Sequence, residues 1–213
     1  MNSRTQILEN LRAAQRPFID VTPSPETYLP MVPRNESTAE NLRARFIAEA
    51  EKLSCIVHQP ADSEIALETI LDLLQNETQI MSWDLARVPI LNLGQGLESA
   101  GITLAETDDA TVQIGLSGAD GALAATGSLV LESRPGQSRT ASLLPPIHIA
   151  VIEAAQIVAD FETWVAQQRV LGTEEFREIS NITLISGASR TADIAMQLVM
   201  GMHGPGTLHI VIV

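Results

Sequence analysis

The chain has one cysteine, Cys55, in 213 residues. A single thiol forms no internal disulfide and cannot hold a cysteine-ligated cluster. Its place in the apolar run LSCIVH predicts a buried strand residue rather than a reactive thiol. Basic residues are also scarce: 13 Lys and Arg stand against 26 Asp and Glu, a net charge of −13. That balance argues against nucleic acid or an anionic membrane as partner, since both need clustered Lys and Arg, and it reads as a solubility device. No apolar stretch is long enough to span a bilayer. The first residues, MNSRTQILENLRAAQR, lack the apolar core of a secretory signal, so the expected compartment is the cytoplasm. The four histidines, His58, His148, His203 and His209, are dispersed without ligand spacing, which predicts no structural zinc. There is no Gly-Lys-Ser/Thr ending of a phosphate loop, no G-x-S-x-G elbow, no internal repeat and no low-complexity tract.

What the sequence does hold is alternation. The length and the 45% hydrophobic content suit one large domain that buries about 70% of its unfolded surface. Residues 1–34 read as a separate unit, a helix ending at Pro17 and then an extended connector with five of the 11 prolines. The stripe Ile7, Leu8, Leu11 makes that helix an arm for the body or for another subunit, a route to a homo-oligomer. From residue 35, helix and strand alternate. Ser37 and Glu40 form a capping box for a helix, SCIVH is a strand, and a helix capped by Asp62 or Ser63 follows. QIMSW and ITLAE are further strands. This predicts an α/β layered domain over residues 35–213 with a mostly parallel central sheet. Its middle carries a β-rich insertion with strands at residues 112–116, 128–131 and 147–152, and FETWVAQQRVL is then a helix.

Four stretches can carry chemistry. The first is SGASRTAD, residues 186–193, between a strand at 182–185 and a helix expected from Ile194, Leu198 and Val199. A strand-to-helix turn is where α/β proteins bind ligands. Ser186 and Gly187 allow close backbone approach, Ser189 and Thr191 supply hydroxyls, and Arg190 offers a planar fork to phosphate or carboxylate above a helix N-terminus. The alternative is structural: Ser189 is the helix N-cap, Asp193 sits in the first turn, and Arg190 pairs with an acid. The second stretch is SGADGALAATGSLVLES. There Asp120 is either a polar site residue or a turn acceptor, with Thr126 and Gly127 nearby. In the third, RPGQSRTASLLPPIHIAVI, Arg139 and Ser142 can close over a ligand, and His148 lies inside an apolar strand as either a core histidine or a catalyst. The fourth is His203 in GMHGPG, on a glycine-flanked loop suited to an acid or base.

GADGALAATGSLVLES, SLLPPIHIAVI, ISGASRTADI and GMHGPGTLHIVIV occur in that order, and together they resemble the lactate-utilisation protein C family, or LUD domain. The resemblance covers roughly residues 35–213. It implies a three-layer α/β/α fold similar to ribose-5-phosphate isomerase, glucosamine-phosphate deaminase and the CoA transferases. It also implies work with two iron–sulfur partners in oxidising L-lactate to pyruvate, with the redox centres on those partners. Ser189, Arg190 and Thr191 match the family pattern, as do Asp193, His148 and His203. Joined with the residues read above, the expected site holds a small anionic ligand at Ser186, Gly187, Ser189, Arg190 and Thr191, with Thr126 and Gly127 as the opposite wall and His203 and Asp120 as catalytic candidates. Cofactors are left open. One departure stands out: the family's acidic residue before the Thr-Gly pair is Ala125 here. Ala125 cannot act as the base or nucleophile of a CoA-transferase-like covalent mechanism, and Glu132 lies downstream. Two alternatives remain, a free-standing enzyme on a sugar-phosphate or nucleotide-type ligand, and an assembly subunit with a vestigial site.

Overall fold

The computed structural model describes residues 3–14, 38–74, 76–171, 178–192 and 198–213. In chain order the elements are α1 (Ser3–Ala14), α2 (Ala39–Lys52), β1 (Ile56–His58), α3 (Ser63–Leu73), β2 (Gln79–Ser82), α4 (Leu93–Ser99), β3 (Thr103–Leu104), β4 (Ile114–Ser117), β5 (Gly121–Leu123) and β6 (Ser128–Ser133). They continue with α5 (Thr140–Leu143), β7 (Ile147–Ile152), β8 (Ile157–Val158), α6 (Phe161–Leu171), β9 (Asn181–Ile185), β10 (Arg190–Ala192), β11 (Leu198–Met200) and β12 (Thr207–Ile212). The proline-rich connector and Ser37 lie outside the described residues.

The main sheet has the order β1-β12-β7-β4-β2-β3, and every neighbouring pair in it is parallel. Parallel strands in the middle of such a sheet are covered on both faces, so they are apolar at successive positions rather than alternating. IHIAVI in β7 and TLHIVI in β12 have that character, and Ile149, Ala150, Val151, Ile152, Ile210, Val211 and Ile212 are fully buried. The expected class, three-layer α/β/α around a mostly parallel sheet, is the one observed. The β-rich part differs in construction from a single insertion. A second sheet, β8-β5-β6-β9, takes β5 and β6 from before β7 and β8 and β9 from after it.

The helices follow from their sequences. The Thr38 hydroxyl accepts from Asn41 N at 3.3 Å and starts α2, which buries Leu42, Phe46 and Ala50 at a spacing of four. Burying Phe46 and Leu42 stabilises by about 1.5–3 kcal/mol each. Asp62 Oδ1 accepts from Glu64 N and Ile65 N at 3.0 and 2.9 Å and starts α3, as its sequence predicts. Cys55 is buried immediately before β1, and burial pushes its thiol up to about 11. On α1, Ile7 and Leu8 are exposed.

Candidate functional site

The largest departure from expectation is at SGASRTAD. Arg190–Ala192 is strand β10, paired antiparallel with β11 in the register Arg190↔Met200 and Thr191↔Val199. Among the described residues, Arg190–Ala192 and Leu198–Met200 are thus strand where a helix start was expected; Asp193 and Ile194 lie outside the described residues. The physical reason is long-range hydrogen bonding. Ser189 N donates to Pro205 O at 2.8 Å, Gly201 N donates to Ser189 O at 2.9 Å, and His203 N donates to Ser189 Oγ at 3.3 Å. These bonds tie the Ser189 turn to the glycine-rich loop, and a local helical period does not compete with that tertiary pairing. Ser189 Oγ thus accepts from His203 and caps no helix.

The same bonds shape a cleft of about 410 Å³ lined by Ser186, Gly187, Ser189, Arg190, His203 and His148, with Ser142 beside them. Two glycines seat its outer turns on the end of α2. Gly187 has φ +83°, and a Cβ there would stand 2.5 Å from Leu53 O. Gly127 has φ +65°, and a Cβ there would stand 2.3 Å from Ala50 N. No L side chain fits either position without displacing the helix backbone. Arg190 Nη2 donates to Leu53 O at 2.8 Å. A guanidinium at a helix C-terminus meets the negative end of its dipole, so Arg190 bonds a carbonyl there rather than the acid expected on the structural reading. Its fork has further donors beyond that one.

Thr126 and Gly127 do not form the cleft's opposite wall. Thr126 reaches the turn through a hydroxyl chain, donating to Ser128 Oγ at 2.8 Å, with Ser128 Oγ 2.7 Å from Ser186 Oγ. Thr191 lies in β10 and outside the cleft lining.

Asp120 belongs to a different cluster. Its Oδ2 accepts from Glu132 N at 2.7 Å and its Oδ1 from Gln137 Nε2 at 3.1 Å, with Arg134 Nη2 at 3.8 Å. Arg134 is also ion-paired with Glu132, a side chain 1% exposed. Burial raises the Asp120 pKa, while Gln137 and the Arg134 and Arg87 charges pull it back. Arg134 and Gln137 face a larger cavity of about 720 Å³, which Arg139 also lines. Of the two catalytic candidates, His203 lines the 410 Å³ cleft and Asp120 lines neither of these two cavities. Arg139 and Ser142 face different cavities, and Ser142 Oγ donates to Arg139 O at 2.9 Å.

His148, weighed in the sequence as a core histidine against a catalyst, has features of both. It has no exposed surface, yet it lines the cleft. Its Nε2 is 2.8 Å from Ser117 Oγ, and burial lowers its pKa to about 3. The signal available was a titratable side chain inside a strand buried on both faces, which needs a partner for each ring nitrogen. His58 and His209 form a separate pair across β1 and β12, with Nε2 and Nδ1 3.0 Å apart. Both pKa values are lowered by burial, that of His209 also by the charge of His58. Among the described residues, no group of three His, Cys, Asp or Glu can hold a metal ion, and no helix is long and apolar enough to cross a membrane.

Comparison with known proteins agrees with this architecture. The LUD domain family model matches residues 43–213. Lactate utilization protein C of Shouchella clausii is 34% identical over 150 residues, covering 67% of this chain and 65% of that protein. Lactate utilization protein C of an Exiguobacterium species is 38% identical over 100 residues, 47% of this chain and 44% of that protein. An uncharacterised protein of Neisseria meningitidis serogroup B is 38% identical over 97 residues, 46% of this chain and 40% of that protein. The matches thus span 40% to 65% of these relatives' lengths. The crystal structure of a DUF162 family protein from Deinococcus radiodurans superposes with a TM-score of 0.61 at 20% identity, over 82% of this chain and 98% of that one, a likeness of fold. This chain belongs to the LUD domain family.

Proposed function

We propose that this LUD-domain chain is a non-redox component of a cytoplasmic system oxidising L-lactate to pyruvate, and that it binds a small anion in the cleft between the Ser186–Arg190 turn and the His203 loop. The observation that carries the reading is the convergence there of Arg190, the Ser186 and Ser189 hydroxyls and His203, residues from stretches far apart in sequence. The similarity to lactate utilization protein C supports the choice of anion. Arg190 supplies the charge and His203 the acid or base. The single cysteine is buried with a thiol pushed up to about 11, which supports redox centres on iron–sulfur partner subunits. The exposed Ile7 and Leu8 of α1, in a unit spanning residues 1–34, support an arm that engages another subunit. The test is growth on L-lactate of a deletion strain carrying the wild-type chain or Arg190→Ala. Rescue by the wild type alone, with Arg190→Ala folded, is expected. Equal rescue by both removes Arg190 from the site.

One observation favours a second reading, an assembly subunit with a vestigial site. Arg190 caps α2, and Ala125 stands where relatives of this fold carry an acid. On that reading, complex formation with partner subunits survives Arg190→Ala and the growth phenotype does not change.

A further inference from the structure

His148 sits in the middle of the main sheet, in register with Gly115 of β4 and Leu208 of β12. Its side chain is wholly buried, and its Nδ1 has no hydrogen-bond partner. The other nitrogen settles which form the ring takes. Ser117 Oγ is 2.8 Å from Gly118 O and 2.8 Å from His148 Nε2. A carbonyl oxygen only accepts, so the one hydroxyl proton of Ser117 goes to Gly118 O. Ser117 Oγ then accepts, and Nε2 must be the donor. A neutral imidazole carries a single N–H, and burial keeps this one neutral, with a pKa near 3. Nδ1 is therefore a bare lone pair on a residue that lines the cleft. An unpaired buried acceptor costs about 1–3 kcal/mol, so a ligand that brings a donor to it recovers what a ligand without one cannot.

We infer that His148 Nδ1 accepts a hydrogen bond from a ligand hydroxyl, which makes the cleft selective for small hydroxylated acids over their deoxy and keto counterparts. The inference rests on the reading of this cleft as the anion site. Arg190 takes the acidic group and His148 the hydroxyl. A cationic donor such as an ammonium is disfavoured in a cleft that already holds a guanidinium. Ser117 acts as a positioning residue, because its fixed proton sets the tautomer.

Calorimetry on the full chain with two ligand pairs tests this: L-lactate against propionate, and glycerol 3-phosphate against propyl phosphate. The hydroxylated member should bind about tenfold tighter. His148→Gln places an amide nitrogen near Nε2 but no acceptor at Nδ1, and should shrink the preference to about twofold or less; His148→Asn, with an acceptor near Nδ1, should restore part of it. Should either variant fail to fold, ¹⁵N spectroscopy of the wild-type ring decides, with an unprotonated Nδ1 and a protonated Nε2 expected. A proton on Nδ1 overturns the inference. So does equal binding of L-lactate and propionate, which would mean that water serves Nδ1, and that result leaves the lactate reading standing. Tight, hydroxyl-dependent binding of glycerol 3-phosphate without L-lactate binding keeps the role of His148 and removes lactate. Binding of none of the four ends both.

Discussion

A charged polar cluster and a neutral one in this fold are built in opposite ways. Asp120, Glu132 and Arg134 form a charged one, two carboxylates against a single guanidinium. His148 and Ser117 form a neutral one, joined by a hydrogen bond. In the sequence Asp120 is charged and glycine-flanked and His148 lies in an apolar strand, and each carries both a structural and a functional reading. Yet the Asp120 carboxylate is filled by Glu132 N and Gln137 Nε2 and flanked by Arg134, and it does not line the cleft where the candidate residues converge. His148 lines it, and its Nδ1 has no hydrogen-bond partner. The charged cluster keeps unpartnered atoms of its own, Arg134 Nε and Gln137 Oε1, beside the larger cavity, so the two clusters differ in charge and in the cavity they border rather than in being fully satisfied.

The sharpest way to break the comparison is Arg134→Met. It leaves Glu132, 1% exposed, as an unpaired buried carboxylate. The loss should be about 3–5 kcal/mol in urea denaturation. Glu132→Gln added to Arg134→Met should recover part of it, because the orphaned charge is then gone. A loss under about 1 kcal/mol would mean that water reaches Glu132.

Acid should act on the two clusters with opposite sign. His148, His58 and His209 have folded pKa values below their unfolded value near 6.5. The stability they contribute is therefore fully present above pH 6.5 and lost as the pH falls below it. For His148, lowered to about 3, the loss is about 1.4 kcal/mol per pH unit over most of that interval. Asp120 has a folded pKa raised above 3.8, so it contributes stability that is present at low pH and lost as the pH rises through its folded value. Denaturation curves from pH 7 to pH 4 should fall in stability on acidification, and His148→Gln should flatten the slope. Asp120→Asn should steepen it at the acid end. An unchanged slope in His148→Gln would show that folding does not lower the His148 pKa.

How much of this was legible follows from length and range. The six residues of β7 and the eleven of α6 read correctly because each is long and apolar in its own period. Asp62 read correctly because a cap is a local bond. The strands β5 and β8 were not foreseen: three and two residues carry no period, and they exist only by pairing with each other and with β6. The β10–β11 hairpin was read as helix because Ile194, Leu198 and Val199 keep helical spacing, and nothing local announces that Pro205 and Gly201 will bond Ser189. Of the residues expected to bind a ligand, Ser186, Gly187, Ser189 and Arg190 line one cleft with His203. For His148 the sequence left core and catalytic readings open, because its partner, Ser117, is 31 residues away and on another strand.

The smallest change in stability should come from Arg190→Ala, and it separates the two readings of the cleft. Arg190 is exposed and gives one hydrogen bond to Leu53 O. Losing a cation at a helix C-terminus costs about 0.3–1 kcal/mol, so the fold should stand. Anion binding should instead fall steeply, because among the described residues lining the cleft only Arg190 is a Lys or Arg. Urea denaturation and calorimetry on one preparation compare the two losses directly. A small stability change with binding gone makes Arg190 a ligand clamp that happens to rest on a helix end. A loss of several kcal/mol, with no ligand bound by the wild type, makes it a strut, and the cleft then belongs to assembly rather than to lactate.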